Sequence, residues 1–428
     1  MPTPAIQTPT LAPTWFERTW RWWVLSTLFL ATFLNYFDRQ TLSVAIEPIS
    51  REFELSNERR GELLAAFVYS YAFAHLFIGS ILDRVKNIRL FFPAMVIGWT
   101  ISTVMVGLAT SYTQVLWLRY LLGFFEAANF PLCLLLIARI FPPRERSLAA
   151  GIFNSGAVFA TLSAPKLVIF FSTNYNWRYS FLATGLLGFL WLIPWLLIFR
   201  NPEQRALNWP DYRKQALETE TEKAKSSIGA ILKLPAFWGV ALIGVGIMPG
   251  WYFMSQWLPS FFTQAFQMPY DQALGNKLTL VYFAQDLGLW LSGALVWWLA
   301  KRGLPIISSR KTVIIGAYLL MMSIVFLPQV QSITAAIALL CVYIFGLAAW
   351  QANQQAFKQD VLPRRVATVA ALVGFAETGF SAFVVQKVGS LTQESGGYNA
   401  IFLLLAGFFT FSIAIVFLFL RPKWLDVK

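Results

Sequence analysis

The chain has 428 residues, 57% of them hydrophobic and 13% charged, with a mean hydropathy of +0.57 and a formal net charge of +13. Soluble proteins carry about 25% charged residues, and a soluble fold of this size could not hide 39 Phe and 18 Trp; the composition excludes a soluble globular protein and points to a polytopic membrane protein. Two cysteines in separate apolar runs, Cys133 and Cys341, and a single histidine exclude a disulfide framework and a structural zinc site.

The first residues, PTPAIQTPTLAPT (2–14), read as a disordered tail within a cytoplasmic segment 1–20. They lack the basic start and cleavage site of a signal peptide, so the first helix is expected to be retained. A membrane helix needs about 20 mainly apolar residues, and isolated strands in lipid would leave backbone groups unpaired. On that rule twelve helical spans follow: 22–46, 60–82, 91–110, 115–139, 147–171, 179–199, 237–262, 277–300, 312–329, 333–357, 366–388 and 399–420. The fold class predicted is all-α integral membrane, twelve transmembrane helices in two six-helix bundles.

Of the 34 basic residues, 25 fall on segments that share one side if the N-terminus is inside, so both termini are expected in the cytoplasm. The longest polar stretch, within 201–235, separates an N-terminal bundle (21–200) from a C-terminal bundle (236–421), and 422–428 is a cytoplasmic tail. The halves echo each other. FPPRERSLAAG (141–151) precedes the fifth span and VLPRRVATVAA (361–371) the eleventh, with their Pro-Arg pairs 220 residues apart. YNWRYSF (175–181) and GYNAIF (397–402) keep nearly that offset at the sixth and twelfth spans. A duplicated six-helix unit is the architecture of many secondary transporters.

No GxxxxGK[ST] phosphate loop is present, and GVGIMPG (244–250) has the wrong spacing for a dinucleotide fingerprint and lies in an apolar helix. The chain is expected not to be an enzyme and to need no cofactor. Any transport runs on an ion gradient or on the substrate's own gradient, with the proton as the expected coupling ion and sodium as the alternative.

Ionisable side chains inside a span cost about 3 kcal/mol each and are functional candidates by default. The first span holds Asp38 and Arg39; the fourth, LRYLLGFFEAANFP (118–131), holds Arg119 and Glu126, seven residues apart and therefore on one helix face, with Gly123 between them. His75, Lys166, Asp286 and Glu377 add to them. Burial favours a neutral acid, whereas a neighbouring guanidinium favours the carboxylate. An arginine that alternates between a protein carboxylate and an anionic substrate would therefore tie substrate binding to protonation. Against this stand plainer readings: Asp38 and Arg39 at the water boundary, Arg119–Glu126 as a fixed ion pair, and Lys166 snorkelling to the outer interface. Trp297 and Trp298 read as packing or interfacial anchors.

The motifs resemble those of the major facilitator superfamily, and within it the anion:cation symporter family of hexuronate, galactonate and related organic-anion carriers. NYFDR (35–39) is similar to that family's first-helix motif, and GSILDRVKNIR (79–89) to the superfamily signature between the second and third helices. LRYLLGFFEAANFP, FPPRERSLAAGIFNSG (141–156), AQDLGLWLSG (284–293) and AWQANQQAFKQD (349–360) resemble family segments of the fourth, fifth, eighth and tenth helices. The resemblance implies proton-coupled import of a sugar-acid-like carboxylate by alternating access, by a monomer in the inner membrane, with no nucleic-acid partner. It implies Asp38 and Glu126 as proton-coupling acids, Arg39 as the carboxylate-binding arginine and Arg119 as a coupling arginine within the binding site. Tyr36, Tyr71, His75, Asn154, Lys166, Trp350, Asn353 and Glu377 are the further candidate substrate-binding residues, and Asp83 and Arg84 the gating pair.

Several positions depart from the family pattern. Lys86 replaces a Gly, His75 a Gln, Phe77–Ile78 a Pro-Gly and Lys166 the second Pro of an Ala-Pro-Pro. GVGIMPGWYFMSQWLP (244–259) lacks an Arg and an Asp common before its Pro, and Glu377 stands in a usually small, apolar stretch. Alternative functions are a proton-coupled antiporter or exporter of another small molecule and a transporter-like membrane sensor.

Overall fold

The computed structural model describes residues 15–85, 87–141, 143–199, 228–361, 366–395 and 397–419. The tail to residue 14, most of the 201–235 segment and the tail 422–428 lie outside these, as do the side chains of Asp83 and Arg84. The described residues are helical throughout, with no strand among them.

In chain order the helices are α1 (Trp15–Glu52), α2 (Asn57–Arg84), α3 (Ile88–Leu108), α4 (Tyr112–Glu126), α5 (Asn129–Ile140), α6 (Pro143–Asn174), α7 (Trp177–Ile198), the short α8 (Ile228–Leu232), α9 (Pro235–Ala265), α10 (Gln272–Lys301), α11 (Ile306–Met321), α12 (Ile333–Val361), α13 (Val366–Ser395) and α14 (Asn399–Phe419). Among the described residues, eleven segments are long and apolar enough to cross a membrane, α4 with α5 and α11 with the 3-10 turn Met322–Gln329 each counting once. The twelfth span is α1, whose 38 residues are ample in length at about 1.5 Å per residue but whose apolar run is diluted by Asn35, Asp38, Arg39 and Gln40.

The fourth span is broken where the sequence predicted one helix. Ala127 and Ala128 form a turn between α4 and α5, because Pro131 has no N–H to offer the carbonyl of Ala127. The break falls directly after Glu126.

One end of the molecule is built from short turns. There Ser56, Ser111, Asn176 and Asp271 accept hydrogen bonds from the first free N–H groups of α2, α4, α7 and α10, as helix N-caps do. The long segment 200–227 leaves from the other, loop end. The helices α1–α7 pack among themselves, as do α9–α14, and the two sets meet chiefly through α2 on α13, α6 on α10 and α1 on α9.

The junction of the two sets is tight at the turn end. A Cβ on Gly61 would stand 2.6 Å from the carbonyl oxygen of Gln386, and one on Gly389 would collide with that of Asn57, so α2 and α13 cross backbone to backbone. Tyr69 donates to Gln386 Oε1 (2.9 Å), Gln264 Nε2 to Asn57 Oδ1 (2.9 Å) and Thr279 to the carbonyl of Leu162 (3.2 Å) across the same junction. Along α2 the burial changes sharply: Leu63 to Val68 are at most 1% exposed, whereas Phe73, Phe77 and Ile81 are 57%, 49% and 40% exposed. The halves are closed together toward the turns and leave α2 uncovered toward the loop end.

Candidate functional site

Midway along α1, Arg39 donates from Nε to Glu126 Oε2 at 2.8 Å, joining α1 to the last residue of α4. Its guanidinium lies over three aromatic rings, Tyr71 at 4.4 Å, Tyr36 at 4.8 Å and Phe67 at 5.0 Å, a cation–π box that holds the charge without using up its N–H donors. Phe67, Tyr71 and His75 recur every four residues on α2, and so form one column on one face. Phe67 stacks on Tyr71 at 5.5 Å, and the Tyr71 ring lies tilted against the His75 ring at 4.3 Å.

Arg119 is fully buried behind this pair, its guanidinium 5.1 Å from the Phe67 ring, with one long hydrogen bond from Nη1 to the carbonyl of Asp38 at 3.5 Å. The side chain of Asp38 is buried beside Thr103 of α3 and Thr184 of α7. Gly123, between Arg119 and Glu126, has no space for a Cβ because Ser70 and the Phe67 carbonyl of α2 fill it. That glycine admits a neighbouring helix rather than a ligand.

The cluster is short of hydrogen bonds. Glu126 Oε1, Asp38 Oδ1, Arg119 Nε and Nη2, His75 Nε2 and both side-chain polar atoms of Asn35 are buried without a partner. A native interior satisfies nearly all such groups, so a concentration of them marks a place prepared for polar ligands, water or protons.

The structure thus brings Asp38, Arg39, Arg119, Glu126, Tyr36, Tyr71 and His75 together. The plainer reading of Arg119–Glu126 as a fixed ion pair along one helix gives way to Arg39–Glu126 between two helices. From the second set, Tyr252 of α9 comes within electrostatic reach of Arg39, Tyr36 and Tyr71. Asn353 and Trp350 are buried on α12, where Asn353 Nδ2 bonds back to the carbonyl of Ala349 at 2.9 Å and Trp350 Nε1 has no partner. Asn154 is exposed and bonded to its own helix at Ala150, and the exposed Lys166 lies at the turn end, where its carbonyl accepts from Gln272. The structure does not join these two to the cluster.

Glu377 sits in the second set, buried against Lys358 at 2.6 Å and Gln354 at 3.1 Å. Asp286 is likewise buried, with Oδ2 unpartnered. Sequence reading missed Phe67, Tyr252 and Lys358. The signal that could have found Lys358 is Glu377, an acid in an apolar helix, which needs a buried cation.

The family model for the Major Facilitator Superfamily matches residues 28–386. The hexuronate transporter of Escherichia coli (strain K12) is 27% identical over 415 residues, covering 94% of this chain and 94% of the relative. The galacturonate transporter of Dickeya chrysanthemi is 27% identical over 308 residues, 70% of this chain and 89% of the relative. Among solved structures, the xylose transporter XylE from E. coli in a partially occluded inward-open conformation superposes with a TM-score of 0.74 at 15% identity, covering 95% of this chain and 99% of that one. A bacterial homologue of the human lysosomal transporter Spinster, inward-facing and occupied, gives 0.71 at 20% identity, covering 94% and 95%. With twelve spans in two sets, buried charge at mid-span and a family match over most of its length, the chain is a multi-pass membrane transporter, not an enzyme, and belongs to the major facilitator superfamily.

Proposed function

We propose that the chain imports a small organic anion, a sugar-acid-like carboxylate, together with protons by alternating access across the inner membrane. The observation that carries this reading is the Arg39–Glu126 contact, with a second Glu126 oxygen unpartnered beside it and an aromatic wall behind the guanidinium. The arginine fork suits the two oxygens of a carboxylate. A substrate carboxylate and Glu126 compete for the same donors. When the substrate takes Arg39, Glu126 is left as a buried carboxylate without its cation, which is costly. Taking up a proton removes that cost, so the loaded site holds substrate and proton together, and release of one favours release of the other. Arg119 and Asp38, buried behind the pair, supply a second acid–arginine set for handing the proton on.

Alternating access follows from the two ends. The tight turn-end junction is the outer gate, closed, and the loop end is cytoplasmic, in keeping with the basic residues concentrated there. Asp83 and Arg84 are assigned to the inner gate on sequence alone, and two six-helix bundles divided at 201–235 are the moving bodies. The named substrates of the relatives, hexuronate and galacturonate, give the first compounds to try.

Purified protein in proteoliposomes, given labelled D-galacturonate under an inward proton gradient, should accumulate it above equilibrium. A protonophore should abolish the accumulation, and a sodium gradient should not replace the protons. Binding without gradient-driven uptake would overturn transport in favour of a sensor, and efflux driven by the same gradient would favour an antiporter.

A further inference from the structure

The second helix set holds a charge pair of its own. Lys358 Nζ of α12 meets Glu377 Oε1 of α13 at 2.6 Å, and Gln354, one turn before Lys358, donates to Glu377 Oε2 at 3.1 Å. Lys358 and Glu377 are each 4% exposed and Gln354 1%. On α9, Gly244 presents bare backbone to them, and a Cβ there would collide with Glu377 and stand 2.6 Å from Gln354 Nε2. Stability alone does not call for such a group, since apolar side chains of similar volume usually hold helices together as well as a buried ion pair does, or better.

The pair lies toward the other helix set. His75 of α2 is within electrostatic reach of both Arg39 and Lys358. Its Nδ1 is 3.6 Å from where a Cβ on Gly374 would stand, three residues before Glu377 on α13. Arg39, the Tyr71 ring and the His75 ring therefore run in order toward α13, which carries Glu377, the partner of Lys358. Two buried polar atoms along that line, His75 Nε2 and Gln354 Oε1, have no hydrogen-bond partner.

We infer that Lys358 is a second anion anchor and that the ligand is a dicarboxylate, a polyol chain with a carboxylate at each end. The inference rests on the reading of Arg39 as the anchor for one carboxylate. Unlike Glu126, which gives up Arg39, Glu377 holds Lys358 in place before and after the ligand binds. An ammonium has three N–H donors, so Lys358 reaches a ligand oxygen without first leaving Glu377. Gln354 keeps its hydrogen bond on Glu377 throughout. Hydroxyls between the two carboxylates both donate and accept, which suits His75 Nε2 and Gln354 Oε1.

The test compares matched acids that differ in one end group, D-galacturonate with galactarate and D-gluconate with D-glucarate, by titration of the full-length protein. The dicarboxylate of at least one pair should bind about tenfold tighter or more, a difference of about 1.4 kcal/mol. In K358Q/E377Q, which removes both charges at nearly constant volume, that ratio should fall toward one, and K358R should retain it. Equal affinities in the unsubstituted protein, or a preference that survives in K358Q/E377Q, would overturn the inference while leaving carboxylate transport standing. Failure to bind any of the four acids would instead remove the reading of Arg39 on which it rests. Should K358Q/E377Q not fold, the affinity ratio of the unsubstituted protein and of K358R decides.

Discussion

Two of the carboxylate–guanidinium pairs on helix α1 differ in almost every respect. At its end, Glu52 receives Arg178 through both terminal nitrogens, at 2.6 and 2.7 Å, and the Trp177 indole N–H at 2.7 Å. Both oxygens are satisfied, and the side chain is 38% exposed. Thirteen residues earlier, Arg39 gives one N–H to Glu126, whose side chain is fully buried and whose other oxygen has no partner. The first pair is complete and rests in water; it fastens α1 to α7. The second is incomplete, costly and walled by aromatic rings, an arrangement that only a further ligand or a proton makes good. Hydrogen-bond satisfaction distinguishes these two pairs more clearly than charge or distance does.

Replacing Arg39 by alanine should be the most damaging change, since it removes the anchor and strands Glu126. Truncating one partner of a buried charge pair costs about 2–5 kcal/mol, so carboxylate affinity should fall on the order of 100-fold or more, measured by titration. Arg39→Lys should recover only part of it, because an ammonium cannot reproduce the planar fork. An affinity unchanged in Arg39→Ala would end the distinction between the two pairs.

Tyr71→Ala should act through the wall instead. Losing one face of the cation–π box and the ring contact with His75 should weaken binding about three- to thirtyfold, as a contribution of about 0.5–2 kcal/mol requires. The thermal midpoint should fall as well, since Tyr71 is only 8% exposed.

The smallest effect belongs to Glu52. Arg178 and Trp177, hydrogen-bonded to it, hold its carboxyl below the ordinary glutamate range. A depressed value means that the pair stabilises the fold above that range and that the stabilisation is lost as pH falls through the lowered value. Glu52→Gln should therefore lower the melting temperature at neutral pH by no more than about 2 °C, with the difference vanishing in acid and transport unchanged. A large loss of transport would show that the strut belongs to the machinery.

Much of this was legible in the sequence, for identifiable reasons. Hydropathy marks spans because lipid tolerates few polar groups, and the same rule makes Asp38, Arg39, Arg119 and Glu126 conspicuous. Helical periodicity could place Arg119 and Glu126 on one face, but the partner that Glu126 finds is 87 residues away on another helix, which no local spacing encodes. The break after Glu126 was legible in principle from Pro131. Lys358 was hidden by its position near a helix end, where a lysine ordinarily reaches water. Asn154 and Lys166 lie in family-like motifs, yet both are exposed and neither is hydrogen-bonded to the cluster, since a motif fixes a position along a helix and not the contacts made there.

The central claim is that Glu126 exchanges Arg39 for a proton when substrate binds. Its most direct test is Glu126→Gln in proteoliposomes, with labelled D-galacturonate uptake measured both under an inward proton gradient and as counterflow at equal pH. The account predicts that gradient-driven accumulation disappears while counterflow persists, because a permanently neutral side chain still lets Arg39 bind carboxylate. Accumulation against a gradient driven by pH alone in Glu126→Gln would contradict it.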